Sequence, residues 1–155
     1  MTPAINIVKR VKIDFQIHEY EHDPKSTSYG EEAASKMGVD SKQVFKTLVV
    51  CTDSKGFGAA VVPVSHQLDL KRIAKALGVK KAAMADKTEV PRVTGYVLGG
   101  VSPIGQKKKL PTIIDASAKA FDTIRVSAGR RGLQIELSPT DLCALTNGRF
   151  QSIGK

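Results

Sequence analysis

Val44-Phe45-Lys46-Thr47-Leu48-Val49-Val50-Cys51 is followed, after the turn-rich Asp53-Ser54-Lys55-Gly56, by Gly58-Ala59-Ala60-Val61-Val62-Pro63-Val64. Two runs rich in β-branched residues on either side of so short a polar loop read as an antiparallel hairpin. We expect it at the centre of the sheet. A hairpin there makes the sheet mixed rather than purely parallel, and this decides the fold class.

Upstream, apolar residues recur at helical spacing from Pro3 to Ile13 (Ala4, Ile5, Val8, Val11), with proline tolerated in the first turn. Phe15 to His22 then alternates as a strand, with Tyr20 near its end. Asp23 to Thr27 is a loop by composition. Ser28-Tyr29-Gly30-Glu31 matches a capping box for a short helix that Gly38 closes.

Downstream, Leu70, Ile73, Ala74 and Leu77 give one face of a helix from Asp69 to Leu77, ended by Gly78. Lys81 to Met84 reads as a short strand. Asp86-Lys87-Thr88-Glu89 starts a second helix that Pro91 keeps short. Strands follow at Pro111–Asp115, Thr123–Val126 and Leu133–Leu137, with helical turns at Ala116–Ala120. Ser138-Pro139 opens a helix over Asp141–Leu145, and Arg149–Ile153 is a last strand. About seven short strands interleaved with four or five helices predict an α/β fold of the mixed α+β kind. We expect a single domain over residues 1–155, built on a mixed, curved, partly barrel-like central sheet flanked by short helices. Neither GxxxxGK[ST] nor a GxGxxG after a strand is present, which disfavours a doubly wound nucleotide fold.

Gly99-Gly100-Val101-Ser102-Pro103-Ile104-Gly105 follows the apolar Tyr96-Val97-Leu98 with backbone that side chains barely cover. Such a loop is either a tight turn or a place where free N–H groups converge on an anion or a polarised carbonyl. Lys46 is equally open to two readings. Strand alternation turns it to solvent, or else its ammonium, expensive to bury, faces a cleft or a partner.

The net charge is +9, from 24 Lys and Arg against 15 Asp and Glu, which favours encounter with a polyanion. No stretch approaches the roughly 18 apolar residues of a membrane span, and the first residues lack the order of a signal peptide, so a cytoplasmic protein is expected. Cys51 and Cys143 lack CxxC spacing and read as packing residues. Only His18 and His22 are near in sequence, at a spacing useful on a helix but not on a strand, and His66 is remote, so no metal site is expected. No serine sits in a GxSxG setting, which leaves a Ser-His-Asp hydrolase without support.

Lys46-Thr47-Leu48, the loop Gly99 to Gly105 and Ser127-Ala128-Gly129-Arg130-Arg131-Gly132 together resemble the YbaK/EbsC family of aminoacyl-tRNA deacylases, related to the editing domain of prolyl-tRNA synthetase. The likeness runs from about Pro3 to the C-terminus and is strongest to the Cys-tRNA(Pro) deacylases. It implies a pocket for the 3′ end of a mischarged tRNA. Lys46 would hold the terminal adenosine's phosphate or ribose, and the amides of Gly99, Gly100 and Val101 would polarise the ester carbonyl. Tyr20, Thr47 and Ser127 would be further pocket residues, with Ser102, Gly105 and Arg130 as substrate contacts; Glu136 receives no role. The family is thought to use the thiol of the substrate itself as nucleophile, so no cofactor and no metal are implied. The implied partners are mischarged tRNA(Pro) and prolyl-tRNA synthetase, with no membrane and no DNA. An alanine-specific or broader deacylase is the nearest alternative, and a non-catalytic RNA-binding module or a small-molecule pocket protein are alternatives of other classes.

Overall fold

The computed structural model describes residues 1–26 and 28–155; Thr27, read above as the end of a loop, lies outside them. Helix α1 (Pro3–Arg10) starts where the Thr2 hydroxyl accepts the Ile5 N–H at 3.2 Å and buries Ala4, Ile5 and Val8. It stops short of the predicted Ile13 because the chain turns through a left-handed Lys12 (φ 59°). Strand β1 (Phe15–Glu19) follows and ends one residue before Tyr20.

Helix α2 (Tyr29–Met37) ends on a left-handed Gly38, as its sequence predicts, but its start is not the expected capping box. The Ser28 hydroxyl donates to the Glu31 carboxylate at 3.1 Å and leaves the backbone N–H groups uncapped by its side chain. Strands β2 (Phe45–Thr52) and β3 (Phe57–Pro63) form the predicted antiparallel hairpin, in register from Phe45↔Pro63 to Cys51↔Phe57. Helix α3 (Leu70–Leu77) is capped by Asp69, which accepts the N–H groups of Lys71 and Arg72. Then come β4 (Ala82–Met84), α4 (Glu89–Thr94), β5 (Thr112–Asp115), a 3₁₀ turn (Ala116–Ala120), β6 (Ile124–Ser127), β7 (Leu133–Leu137), α5 (Pro139–Thr146) and β8 (Arg149–Gln151).

The mixed α/β class is as predicted, but the single barrel-like sheet is not. The strands divide into a three-stranded antiparallel sheet, β1-β7-β6, and a five-stranded sheet, β4-β2-β3-β5-β8, and they do not close into a barrel. In the larger sheet β4, β2 and β3 are antiparallel while β3, β5 and β8 are parallel. The two sheets meet at a seam where Val44 bridges Arg125, the Arg125 N–H donates to the Gln43 carbonyl at 3.0 Å, and the Gln43 amide donates to the Thr123 carbonyl at 2.9 Å.

The hairpin is covered on both sides. Val49 and Val61 enter the main core with α1, Ile114, Ile124 and Ile135, whereas Val50, Ala60 and Val62 pack with Ile73 of α3, Ile113 and Ile153. Two buried faces explain why β2 shows no simple alternation in sequence.

Asp115 ties the C-terminal residues to this core. Its carboxylate accepts the Ile153 and Gly154 N–H groups, both at 2.9 Å, and the Ser117 N–H and hydroxyl at 3.2 and 2.5 Å. Burial pushes the Asp115 pKa up, but these hydrogen bonds outweigh it and hold the carboxyl below the ordinary aspartate value. A depressed folded pKa means that this stabilisation is fully present above the unfolded value of about 3.9 and is lost as pH falls through the folded one. Asp115→Ala should destabilise the protein by about 3 kcal/mol and lower Tm by about 9 °C at neutral pH, with the gap from wild type closing as pH falls through the lowered folded pKa. A melting shift under about 2 °C at neutral pH would remove this role.

Candidate active site

A cleft of about 710 Å³ is lined by residues of both sheets, the seam residue Val44 among them. One wall is β2 from Phe45 to Val49, from the large sheet. Facing it are Ser127 at the end of β6 and Leu133 and Gln134 of β7, from the small sheet. The first turn of α2 (Tyr29, Gly30, Glu31) and the loop residues Leu98, Gly99 and Val101 complete the enclosure, and Lys87 and Arg130, both exposed or nearly so, stand among the lining residues.

Lys46 faces this cleft rather than open solvent, and it is half-buried. Burial pulls its pKa below the ordinary lysine value, partly offset by the Glu31 carboxylate. No salt bridge neutralises the ammonium among the described residues, so a cation is held in a partly desolvated site and available to an anionic or polar ligand. Beside it, the Thr47 hydroxyl is buried with no hydrogen-bond partner, and across the cleft the Gln134 carbonyl oxygen is in the same condition.

The glycine loop has a structural task that its sequence does not disclose. Gly99 is left-handed (φ 81°), and a Cβ there would come within 2.6 Å of the Tyr29 ring and 2.7 Å of the Arg131 guanidinium. At Gly100 a Cβ would lie 2.7 Å from Arg130 Cα. The glycines therefore let this loop press against the Gly129–Gly132 turn. Arg131 joins the pieces: its Nε–H donates to the Leu98 carbonyl at 2.9 Å and its guanidinium lies 4.5 Å from the Tyr29 ring centroid, a cation–π contact.

Seven of the ten residues singled out in sequence line the cleft: Lys46, Gly99, Val101, Tyr20, Thr47, Ser127 and Arg130. The other three do not. Gly100 commits its N–H to the Val97 carbonyl at 3.0 Å, closing a turn, so it is not an amide aimed at a ligand. Ser102 is fully buried and its hydroxyl accepts the Ile104 N–H at 3.2 Å. Gly105 packs against α1, where a Cβ would meet Ile7, the Tyr96 hydroxyl and the Ala4 amide. Ser102 and Gly105 lie behind the loop and are not among the residues lining the cleft.

Among the lining residues, Tyr20 donates its N–H to the Gly132 carbonyl at 2.9 Å, and burial raises its phenol pKa. Arg130 is exposed and 3.9 Å from Glu19. Glu136 lies outside the cleft: its carboxylate accepts from His18 Nε2 at 2.7 Å and from the Thr123 hydroxyl at 2.5 Å, beside Arg125. Those contacts, Thr123 first, hold its pKa below the ordinary glutamate value. The carboxylate that does border the cleft is Glu31, which sequence reasoning used only as a helix-start signal. Gln134 and Lys87 were also missed. A polar residue between Leu133 and Ile135 carries the same signal that marks Lys46, but alternation along the strand absorbs it.

Neither thiol lines the cleft. The Cys143 thiol donates to the Gly148 carbonyl at 3.1 Å, with its pKa raised by burial, and Cys51 lies on β2 beyond the lined stretch, toward β4.

The cleft thus combines a partly desolvated cation with unpartnered polar atoms and has no thiol among its lining residues. Residues 22–145 match the family model of the aminoacyl-tRNA editing domain, and the chain belongs to that family. It is 40% identical over 152 residues, 98% of this chain and 92% of the relative, to EbsC of Enterococcus faecalis, provisionally named a Cys-tRNA(Pro)/Cys-tRNA(Cys) deacylase. It is 26% identical over 141 residues, covering 88% of this chain and 82% of the relative, to ProXp-y of Escherichia coli K12, named a multifunctional Ser/Thr-tRNA deacylase. Deacylases are hydrolases. A crystal structure provisionally described as a trans-editing enzyme for prolyl-tRNA synthetase shares the fold at TM-score 0.84 and 24% identity, over 99% of this chain and 97% of that one.

Proposed function

We propose that this protein is a trans-editing hydrolase that deacylates mischarged Cys-tRNA(Pro). The observation that carries the reading is the composition of the cleft: a half-buried lysine ammonium and unpartnered hydroxyl and amide groups, with both protein thiols elsewhere. An aminoacyl ester is already activated, so a site that positions it needs no protein nucleophile. The thiol of the cysteinyl group attacks its own ester carbonyl; the S–C bond forms, the C–O bond to the ribose breaks, and the thiol proton passes to the leaving ribose oxygen. Water then opens the resulting cyclic thioester to free cysteine. Holding thiol and ester at contact distance can lower a barrier by roughly 7–11 kcal/mol. Lys46 binds the phosphate or ribose of the terminal adenosine, and the backbone at Gly99 and Val101 faces the carbonyl.

A chain of 155 residues covers an acceptor end but not an anticodon, so recognition of tRNA(Pro) falls to prolyl-tRNA synthetase, in a transient cytoplasmic complex. The description of the solved relative as a trans-editing enzyme for that synthetase supports this partner. The net charge of +9 serves phosphate contacts.

The test is deacylation of Cys-tRNA(Pro), Ala-tRNA(Pro) and Pro-tRNA(Pro) side by side. We expect Cys-tRNA(Pro) to be hydrolysed at least tenfold faster than the others, and Cys51→Ala and Cys143→Ala each to retain activity within about threefold. Faster turnover of Ala-tRNA(Pro) makes the protein an alanine deacylase. Loss of activity in either cysteine variant restores a protein nucleophile.

A further inference from the structure

The orphan acceptor on β7 asks for a donor from the ligand. Gln134 is 5% exposed, lines the cleft, and its carbonyl oxygen has no hydrogen-bond partner among the described residues. Buried amides are almost always satisfied, because an unpartnered one costs about 1–3 kcal/mol. Its neighbours do not relieve it. Cross-strand from Gln134, Ser127 accepts the Gly129 N–H at 3.2 Å, and on the other side His18 is paired with Glu136. Thr47, the second orphan, lines the same cleft from the opposite sheet.

Position within the cleft narrows the donor. The exposed basic residues Lys87 and Arg130 suit the phosphates of an entering strand, whereas Gln134 is buried and so is the hydroxyl oxygen of the half-buried Thr47. A substrate entering by its 3′ end carries its aminoacyl group at the tip, so that group meets the buried polar atoms. Of the groups it brings, the α-amino group is the strong donor; the thiol is a weak one and the ester only accepts.

We propose that Gln134 is a specificity-determining residue that accepts a hydrogen bond from the α-amino group of the aminoacyl ester, with the Thr47 hydroxyl as its second partner. The inference rests on the deacylase reading above and deepens it. The site then selects an unblocked aminoacyl ester over an acyl ester of the same size, and in doing so fixes the carbonyl against the glycine loop.

The experiment compares Cys-tRNA(Pro) with 3-mercaptopropionyl-tRNA(Pro), which keeps thiol, ester and chain length but lacks the amine. For wild type, Gln134→Leu and Gln134→Glu, kcat/KM is measured on both, with spontaneous hydrolysis subtracted. Gln134→Leu should lower kcat/KM for Cys-tRNA(Pro) about 30-fold and leave the amine-free substrate within about threefold. Gln134→Glu, which keeps an acceptor, should restore most of the activity on Cys-tRNA(Pro), and the retained activity of Gln134→Leu on the amine-free substrate shows that its loss on Cys-tRNA(Pro) is not misfolding. An equal fall on both substrates, or no fall on either, overturns the proposal while leaving the deacylase reading intact. If the wild-type protein hydrolyses neither substrate, the deacylase reading fails, and this inference with it.

Discussion

Lys46→Ala should lower kcat/KM for Cys-tRNA(Pro) by about 10²–10³-fold without lowering Tm. Two effects combine. A charge-assisted contact to phosphate or ribose contributes roughly 1.5–3 kcal/mol, and its loss lets the ester drift from the geometry in which the thiol can reach the carbonyl, where a shift of about 1 Å can cost 10²-fold. Stability moves differently, because the ammonium sits where burial disfavours its charge. A lysine whose folded pKa is lowered opposes folding whenever it is protonated, so Lys46→Met should melt at or above the wild-type temperature while remaining inactive. Such a pairing separates a functional lysine from a structural one. Activity needs the protonated form: it is present at neutral pH and is lost as pH rises through the lowered pKa, giving an alkaline limb below the ordinary lysine value. Lys46→Arg keeps its charge at every accessible pH and should lack that limb, at about tenfold lower activity because a planar guanidinium does not reproduce a point charge. Hydrolysis by Lys46→Ala at the wild-type rate would remove the lysine from the mechanism and leave the cleft without its cation.

The elements were legible where one segment holds its own explanation. The β2–β3 hairpin follows from two β-branched runs about a polar turn, and α3 from its apolar face, Asp69 and Gly78. Lys46 stood out because a charge in an apolar run has few harmless destinations. What could not be read is what depends on two distant segments meeting. The division into two sheets is set by β1 pairing with β7 from the far end of the chain, and the cleft is lined by residues of both sheets. Tyr29 and Glu31 look like the opening of a helix until α2 is placed against the glycine loop. Gln134 looks like the polar side of a strand until the fold buries it in the lining of the cleft. The loop itself was read for its amides, yet Gly100 spends its N–H on a turn and matters for the side chain it lacks.

Gly100→Ala should therefore damage the site strongly for a single added methyl. Its Cβ would sit 2.7 Å from Arg130 Cα and 3.1 Å from Arg131 N, which are backbone atoms that cannot rotate away. The opposing turn is itself held, by the Ala128 N–H on the Leu133 carbonyl at 2.9 Å and the Leu133 N–H on the Arg130 carbonyl at 3.3 Å. Relief must come from the glycine loop moving outward. That motion pulls Leu98 from Arg131 Nε and uncouples Arg131 from Tyr29, so three walls of the cleft shift together. Overpacking of this kind destabilises by about 1–3 kcal/mol, and displacement of the wall facing the ester should lower kcat/KM about 100-fold. Gly78→Ala provides the control. Gly78 is left-handed (φ 74°) with nothing within 4 Å of a Cβ, so alanine there is strained by about 1–2 kcal/mol and touches no part of the site. Both variants should melt lower than wild type, but only Gly100→Ala should lose deacylation. If Gly100→Ala retains activity within about threefold, contact between the two loops is not what holds the site, and the task of the glycines must lie in the backbone groups of Gly99 and Val101.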